Sequence, residues 1–375
     1  MEEGPKYLYQ YPWKSEVSEQ VEAEKLLLEF KKRFDPLLKE YLQGKVREAN
    51  EVSSQAVVLV KEIARLAKNG GKRVRPMFVY AGYLAAGGRS VDAVILASLS
   101  VELLHTFALI HDDIIDRSPL RRDEPTTHKA FESFHKSSGY HGDRKWYGLS
   151  SAILTGDLAA TYANEILNIA PFPHERVRRA KYYFNKMKEE AEYGEYLDVL
   201  SGIKEKVSED EVLKILEYKT GKYTVERPLH IGAALAAADS SVYEVFTAYA
   251  VPFGQAFQTQ DDILGTFGDE ETIGKPNDSD IKEGKKTLLV VKSFERASRQ
   301  QKKLLKQVLG DRGADNTKIE QVREIMRDTG ALSYAVSLSN YLLNQSRYVA
   351  QSAKIEEPGR QYLLAAVDYL QSRPL

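Results

Sequence analysis

Two short acidic runs dominate the chemistry open to this chain. The first reads Asp112-Asp113-Ile114-Ile115-Asp116 and is followed by Arg121-Arg122; the second reads Asp261-Asp262-Ile263-Leu264-Gly265. Both fall at the C-terminal ends of long apolar runs of helical texture, where the partial negative charge of a helix end disfavours carboxylates. Unpaired carboxylates crowded beside an apolar core also repel one another and resist losing water. A divalent cation removes that conflict. Hard oxygen donors suit Mg²⁺, which keeps several waters and shares its shell with phosphate oxygens. With arginines nearby, two facing acidic clusters point to a metal-bridged diphosphate site.

Helix geometry sorts these residues. His105, Asp112 and Asp116 are spaced i, i+7, i+11 and fall within about 40° of one another. Asp112 and Asp116 can therefore chelate together, whereas Asp113 stands about 100° away and suits a supporting role. In the second run Gln258 precedes Asp261 by one turn, and Asp262 follows it. Gly265 stands where a third carboxylate would mirror Asp116, and it also suits the position just past a helix end. Cationic groups complete the pattern. In Gly70-Gly71-Lys72-Arg73-Val74-Arg75-Pro76 the glycines let backbone N–H groups approach an anion, and Lys72 and Arg75 can share one side of a turn. Alone, so short a basic motif reads more readily as a solvated surface turn. Arg121, Arg122, Lys275, Lys285 and Lys286 add charge suited to a diphosphate. Lys219-Thr220-Gly221 lies inside a helical run, where a Thr-Gly pair lowers helix propensity and marks either a kink that aims Lys219 and Thr220 inward or a plain imperfection.

The elements that must position these groups are helices. Apolar spacing predicts a helix from Val21 to about Leu42 and a second from Val52 to Ala67, broken by Asn69-Gly70-Gly71. Residues 91–115 are apolar on nearly all sides, which makes them a central buried helix. Residues 118–149 are rich in Pro, Gly, Ser, His and charge and read as loops with a short helix at most. Helical runs resume at 150–170, 176–201, 209–238 and 242–264; residues 265–287 read as loop, and 288–372 as further helices. Ser208-Glu209-Asp210-Glu211 has the form of a capping box. Few segments alternate in the manner of a strand, so the fold class is all-α. Residues 1–20 read as an N-terminal arm and 21–375 as one domain.

Composition narrows the function classes. Among 375 residues, 53 Lys and Arg nearly balance 54 Asp and Glu, which gives no sign of a nucleic-acid protein. Cysteine is absent, which excludes disulfides and thiolate chemistry. The N-terminal sequence has no signal-peptide form, and no uninterrupted apolar run reaches 18 residues, so neither export nor stable membrane insertion is expected and a cytoplasmic protein is.

Taken together these motifs resemble the trans-isoprenyl diphosphate synthases, the polyprenyl synthetase family. The resemblance spans most of residues 45–350. It rests on Gly70 to Pro76, Asp112 to Asp116 with Arg121-Arg122, Gly156-Asp157, Lys219-Thr220, Gln258 to Asp262, Gly274-Lys275-Pro276 and Asp280 to Lys285, in the family's order. It implies an all-helical fold around a deep central cavity, usually homodimeric. It also implies Mg²⁺-dependent head-to-tail condensation of isopentenyl diphosphate with dimethylallyl, geranyl or farnesyl diphosphate. Carried over by position, Asp112, Asp116 and Asp261 ligate Mg²⁺ with Asp113 and Asp262 in support. Arg121, Lys219, Thr220, Gln258, Lys275 and Lys285 contact the allylic diphosphate; Lys72, Arg75, His105 and Arg122 hold isopentenyl diphosphate. Two features depart from the pattern: Gly265 replaces an Asp, and an insert between His128 and Ser150 carries His135, His141, Trp146 and Tyr147. That insert reads as a solvated loop in preference to a His-bearing metal site.

Product length depends on the residues before Asp112. Ala108 is small and shares the Asp112 face; Phe107, five positions before Asp112, lies about 140° off it on an ideal helix. By resemblance, this pair looks like archaeal-type enzymes that stop at geranylgeranyl diphosphate (C20), with farnesyl diphosphate (C15) or a C15/C20 mixture as the alternative. A terpene cyclase would not need Lys72, Arg75 and Arg122, a non-catalytic synthase subunit would be expected to lose first-cluster carboxylates, and a plain cation-binding module would not need the interspersed basic groups.

Overall fold

The computed structural model describes residues 17–68, 71–268 and 277–373, with side chains from residue 25 on. The helices in chain order are α1 (Val17–Val52), α2 (Val57–Lys68), α3 (Val74–Ala85), α4 (Val91–Ile115), α5 (Thr127–Ser137), α6 (Arg144–Ile169), α7 (His174–Ile203), α8 (Glu209–Ile215), α9 (Arg227–Ala236), α10 (Ser240–Phe267), α11 (Ser279–Glu283), α12 (Leu288–Arg296), α13 (Arg299–Val308), α14 (Asn316–Asp328), α15 (Ala331–Ser352) and α16 (Glu357–Gln371). Between α8 and α9 the backbone is π-helical, Leu216–Glu226. The all-α expectation holds for the described residues, apart from one small hairpin, β1 (Leu120–Arg121) and β2 (Glu124–Pro125).

Two compact units emerge. One comprises Glu24–Tyr182 with Ile231–Ala238; the other takes in Tyr183–His230 and the chain from Asp239 onward. In the first, α4 packs against α3 and α6. Leu99, Val101 and Leu103 of α4 are wholly buried, as all-round apolar character requires. This helix is long and apolar enough to cross a membrane, yet 67% of its most apolar stretch is covered by protein. In the second unit α10 lies against α15 and the π-helical segment, and Ile263, Leu289, Leu305 and Val322 belong to one buried cluster. A Cβ on Gly254 of α10 would lie 2.1 Å from the Gly221 Cα, so the two backbones touch there because neither residue carries a side chain.

Several sequence expectations need correction. The first helix does not stop near Leu42; it continues to Val52 because Lys45 is buried and paired with Glu48 at 2.8 Å and Glu165 at 2.7 Å. The segment 118–149 is not mainly loop: it holds the hairpin, all of α5 and the start of α6. Phe131, His135, Tyr140 and Tyr147 cluster there, with His135 and Tyr147 rings 5.2 Å apart, and this aromatic packing offsets the polar composition that suggested loop. The capping box at Ser208 is present, with the Ser208 N–H donating to Glu211 at 2.8 Å.

Candidate active site

The first acidic run closes α4. Asp112 is half-buried, Asp113 is fully buried, and Asp116 caps the helix, its N–H donating to the Asp112 carbonyl at 2.8 Å. The carboxylates of Asp112 and Asp113 do not simply repel. Arg121 bridges them: its Nε donates to Asp113 Oδ1 at 2.9 Å and its Nη2 to Asp112 Oδ2 at 3.0 Å. From the sequence these acids look unpaired; in the structure the hairpin supplies a cation for them. Burial pushes the Asp113 carboxyl above its ordinary range, opposed by Arg121. This geometry suits Asp113 to hold Arg121 rather than to face a metal.

The hairpin that carries Arg121 is itself anchored. Arg65 donates to Glu124 Oε2 at 2.6 Å and to the Pro125 carbonyl at 3.0 Å, while Thr126 Oγ1 donates to the Ser118 carbonyl at 2.8 Å. At its tip Arg122 and Asp123 have φ of 52° and 61°, a type I′ turn built without glycine. Arg73 also has positive φ, 54°; its buried side chain donates to Asp35 at 2.9 Å and pairs with Glu102. The basic triplet is thereby divided: Arg73 is a structural anchor, while Lys72 is exposed and Arg75 opens α3 half-buried. Arg75, Arg121, Arg122 and Arg73 all lie within electrostatic reach of His105, and burial followed by their charges holds its imidazole neutral, well below its ordinary range.

On the next face of α4, the Phe107 ring lies 4.5 Å from that of His111. His111 needs Gly156 of α6, because a Cβ there would lie 2.3 Å from its Nε2; Asp157 Oδ1 is 3.8 Å from the same nitrogen. The Gly156-Asp157 pair thus seats the helix face that carries Phe107. Ala108 is half-buried.

The second acidic run lies within α10. This helix continues to Phe267, so Gly265 is a buried helical residue and not the glycine just past a helix end. Gln258 joins the run to the π-helical segment: it accepts from Thr220 Oγ1 at 2.9 Å and donates to Asp262 Oδ1 at 3.0 Å. Burial first, and then neighbouring Asp280, push the Asp262 carboxyl up to about 8. Asp261 is less buried and accepts from Arg373 Nη1 at 2.7 Å. At Lys219-Thr220, where the sequence leaves a kink and a plain imperfection open, the backbone departs from the α-helix as a π-helix, a geometry common at functional sites. Lys219 pairs with Asp198 at 2.6 Å and Glu195 at 2.8 Å of α7, and Lys285 lies near Glu283 at 3.3 Å and Asp280 at 3.5 Å. Lys275, with Gly274 and Pro276, lies outside the described residues.

Arg373, Glu195 and Asp198 are not among the residues the sequence singles out, and Asp280 enters there only as the start of a motif, with no role of its own. For Glu195 and Asp198 the i, i+3 spacing on one predicted helix was an available signal; for Arg373 none was. Among the described residues no group of three or more His, Asp or Glu is arranged to enclose a metal by itself. The donors fit an ion held by one or two carboxylates and completed by water and phosphate oxygens, which is the habit of Mg²⁺.

A motif order this extensive has counterparts. The polyprenyl synthetase family matches residues 57–326. The chain belongs to the polyprenyl synthetase family. It is 33% identical to the geranylgeranyl diphosphate synthase of Saccharolobus solfataricus over 84% of this chain and 92% of that one. Against the geranylfarnesyl diphosphate synthase of Aeropyrum pernix the identity is 31%, over 82% and 92%. The fold superimposes on a crystal structure of geranylgeranyl pyrophosphate synthase from Corynebacterium glutamicum complexed with isoprenyl diphosphate and magnesium, with a TM-score of 0.86 and 30% identity, covering 93% of this chain and 99% of that one. Membership makes this polyprenyl synthetase a prenyltransferase of isoprenoid biosynthesis.

Proposed function

We propose that this prenyltransferase joins isopentenyl diphosphate head-to-tail to dimethylallyl, geranyl and farnesyl diphosphates and releases all-trans geranylgeranyl diphosphate. The observation that carries the reading is the arginine-bridged Asp112 and Asp113 pair at the end of α4, on a helix whose neutral His105 has the cations Arg75 and Arg122 within electrostatic reach. The 33% identity to a geranylgeranyl diphosphate synthase supports the C20 product.

In this mechanism Asp112, Asp116 and Asp261 hold Mg²⁺, with Asp113 and Asp262 behind them. Bound Mg²⁺ supplies positive charge to the leaving diphosphate. Arg121, Lys219, Lys275 and Lys285 add fixed charge to the same group, and Thr220 and Gln258 orient its reacting end. The allylic C–O bond then breaks with its electron pair going to the diphosphate. Lys72, Arg75 and Arg122 grip isopentenyl diphosphate, and His105, being neutral, contributes a hydrogen bond and no charge. The isopentenyl double bond attacks the allylic cation, and the departing diphosphate takes the proton released. Apolar surroundings keep water from the cation. Phe107 and Ala108 set where the growing tail stops. We assign the catalytic domain to residues 21–375, with residues 1–20 an arm, and take the working enzyme to be a cytoplasmic homodimer.

The test is chromatography of products formed from radiolabelled isopentenyl diphosphate with C5, C10 and C15 starters. Accumulation of C20 from each starter supports the reading; C15 or C25 as the end product overturns the length assignment alone. Diphosphate release from an allylic substrate without isopentenyl diphosphate would overturn the condensation itself.

A further inference from the structure

Helix α16 is gripped at its middle and at its last turn. Tyr249 of α10, wholly buried, donates its hydroxyl to the Leu363 carbonyl at 2.8 Å. Arg347 of α15 pairs with Asp368 and donates to Gln371 Oε1 at 2.6 Å. The chain leaving this turn places Arg373 in a socket on α10. Its Nη1 donates to Asp261 Oδ1 at 2.7 Å, and its guanidinium lies 5.1 Å from the Phe257 ring centre and 5.3 Å from that of Tyr369. Phe257 and Asp261 are one turn apart on α10 and present a ring and a carboxylate on one face, while Arg373 follows the end of α16 and stays within reach of the Tyr369 ring. The Arg373 side chain is 13% exposed and that of Asp261 39%. Cation–π contacts on two rings favour this placement independently of the carboxylate.

We propose that Arg373 is an internal counter-ion for Asp261: it occupies the carboxylate oxygen that a divalent cation takes, and the ion binds by displacing it. The inference rests on the reading of Asp261 as a metal ligand. Before the ion arrives, the guanidinium neutralises Asp261, which stands next to Asp262, itself within electrostatic reach of Asp280. When the ion takes the carboxylate, the two rings still offer the guanidinium a resting place, so release of the carboxylate does not require the tail to leave α10.

The experiment titrates Mn²⁺ alone, counting the free ion by electron paramagnetic resonance, into the wild type, Arg373→Gln, Arg373→Lys, Asp261→Asn and the double variant Asp261→Asn with Arg373→Gln. Competition by one partly exposed ion pair predicts that Arg373→Gln binds Mn²⁺ roughly 3- to 10-fold more tightly. Arg373→Lys keeps the charge but not the planar fork and falls between Arg373→Gln and the wild type. In the Asp261→Asn background Arg373→Gln changes nothing. Unchanged or weaker Mn²⁺ binding by Arg373→Gln, with Asp261→Asn weakening binding as expected, overturns the proposal and leaves the metal reading intact. If Asp261→Asn has no effect in either background, the metal reading of Asp261 falls and the proposal falls with it.

Discussion

Arg121→Met tests the idea that the first acidic run is held by an internal cation. Arg121 makes two close contacts with Asp113, at 2.9 Å from Nε and 2.8 Å from Nη2, and Asp113 has no exposed surface. Removing one member of a buried ion pair typically costs about 3–5 kcal/mol. Asp112, also held by Arg121, has a 27% exposed side chain and re-solvates, so its share stays within about 1 kcal/mol. Asp113 can escape by taking a proton. At pH 7 that costs roughly 1.36 kcal/mol for each of the three units above an ordinary carboxyl pKa near 3.9, about 4 kcal/mol, which agrees with the first figure. The sign follows. In the variant the folded-state pKa of Asp113 is raised above its unfolded value, so the unfolded state binds fewer protons and stability falls as pH rises. At pH 5 the same protonation costs only about 1.5 kcal/mol. Guanidinium unfolding followed by circular dichroism should therefore show a loss of about 3–5 kcal/mol at pH 7 that shrinks by more than half at pH 5. Adding Asp113→Asn should restore most of the loss and remove the pH dependence. Stability within about 0.5 kcal/mol of wild type at pH 7, the range of an ordinary surface change, would refute the buried-pair argument.

Asp112→Ala or Asp116→Ala should nearly abolish turnover while the circular dichroism spectrum and melting midpoint stay close to wild type; near-normal activity at saturating Mg²⁺ would remove them from the metal site. Arg122→Ala and Lys72→Ala should raise KM for isopentenyl diphosphate by roughly 10- to 100-fold, from about 1.5–3 kcal/mol per charge-assisted contact; a change in the allylic KM instead would reverse the division of the two diphosphates. His230, buried against Tyr183 and Tyr243, accepts from Arg227 and donates to the Tyr243 carbonyl at 3.0 Å, and burial lowers its pKa from 6.5 to about 4 despite Glu226 nearby. Its contribution is therefore lost as pH falls from about 6.5 towards 4, by about 3 kcal/mol at most, and a proton NMR titration of its ring with a midpoint above 6 would contradict this. Phe107→Ala should lengthen the product by at least one C5 unit; an unchanged product with stability lowered by about 3–5 kcal/mol would make Phe107 plain core.

The helical class was legible because apolar residues recur with a 3.6-residue period over long stretches, and α4 reads as buried because it is apolar all round. The order of the acidic and basic motifs was legible because those residue types have few structural uses in that combination. The helices of segment 118–149 are not legible because its polar composition hides an aromatic cluster assembled across a turn, and short-range patterning does not report such contacts. The pairing of the carboxylates is hidden for a similar reason. Arg121 is eight residues from Asp113 and Arg373 is 112 from Asp261, and only the hairpin and the end of α16 bring them within hydrogen-bond distance.

What escaped the sequence is concentrated near the proposed chemistry. Five non-glycine residues among those described have positive φ: Arg73, Arg117, Arg122, Asp123 and Ala237. The first four lie in the basic motif, directly after Asp116, or at the hairpin tip. None has a side chain that prefers this backbone region except Asp123, and each such conformation costs on the order of 1–3 kcal/mol unless its surroundings enforce it. For Arg73 the enforcing contacts are Asp35 and Glu102; for the hairpin tip they are Arg65 on Glu124 and Thr126 on Ser118. The π-helical turn at Lys219-Thr220 belongs with them, since its backbone is held against α10 at Gly254. Local preference and tertiary structure disagree at these positions, and such conflicts are expected where a protein holds side chains for a task other than stability. Within the first unit the strain falls on Arg73, Arg117, Arg122 and Asp123, beside the acidic run and its hairpin, and it is an argument separate from family likeness for the proposal that Arg75, Asp112, Asp116 and Arg121 serve a task other than stability.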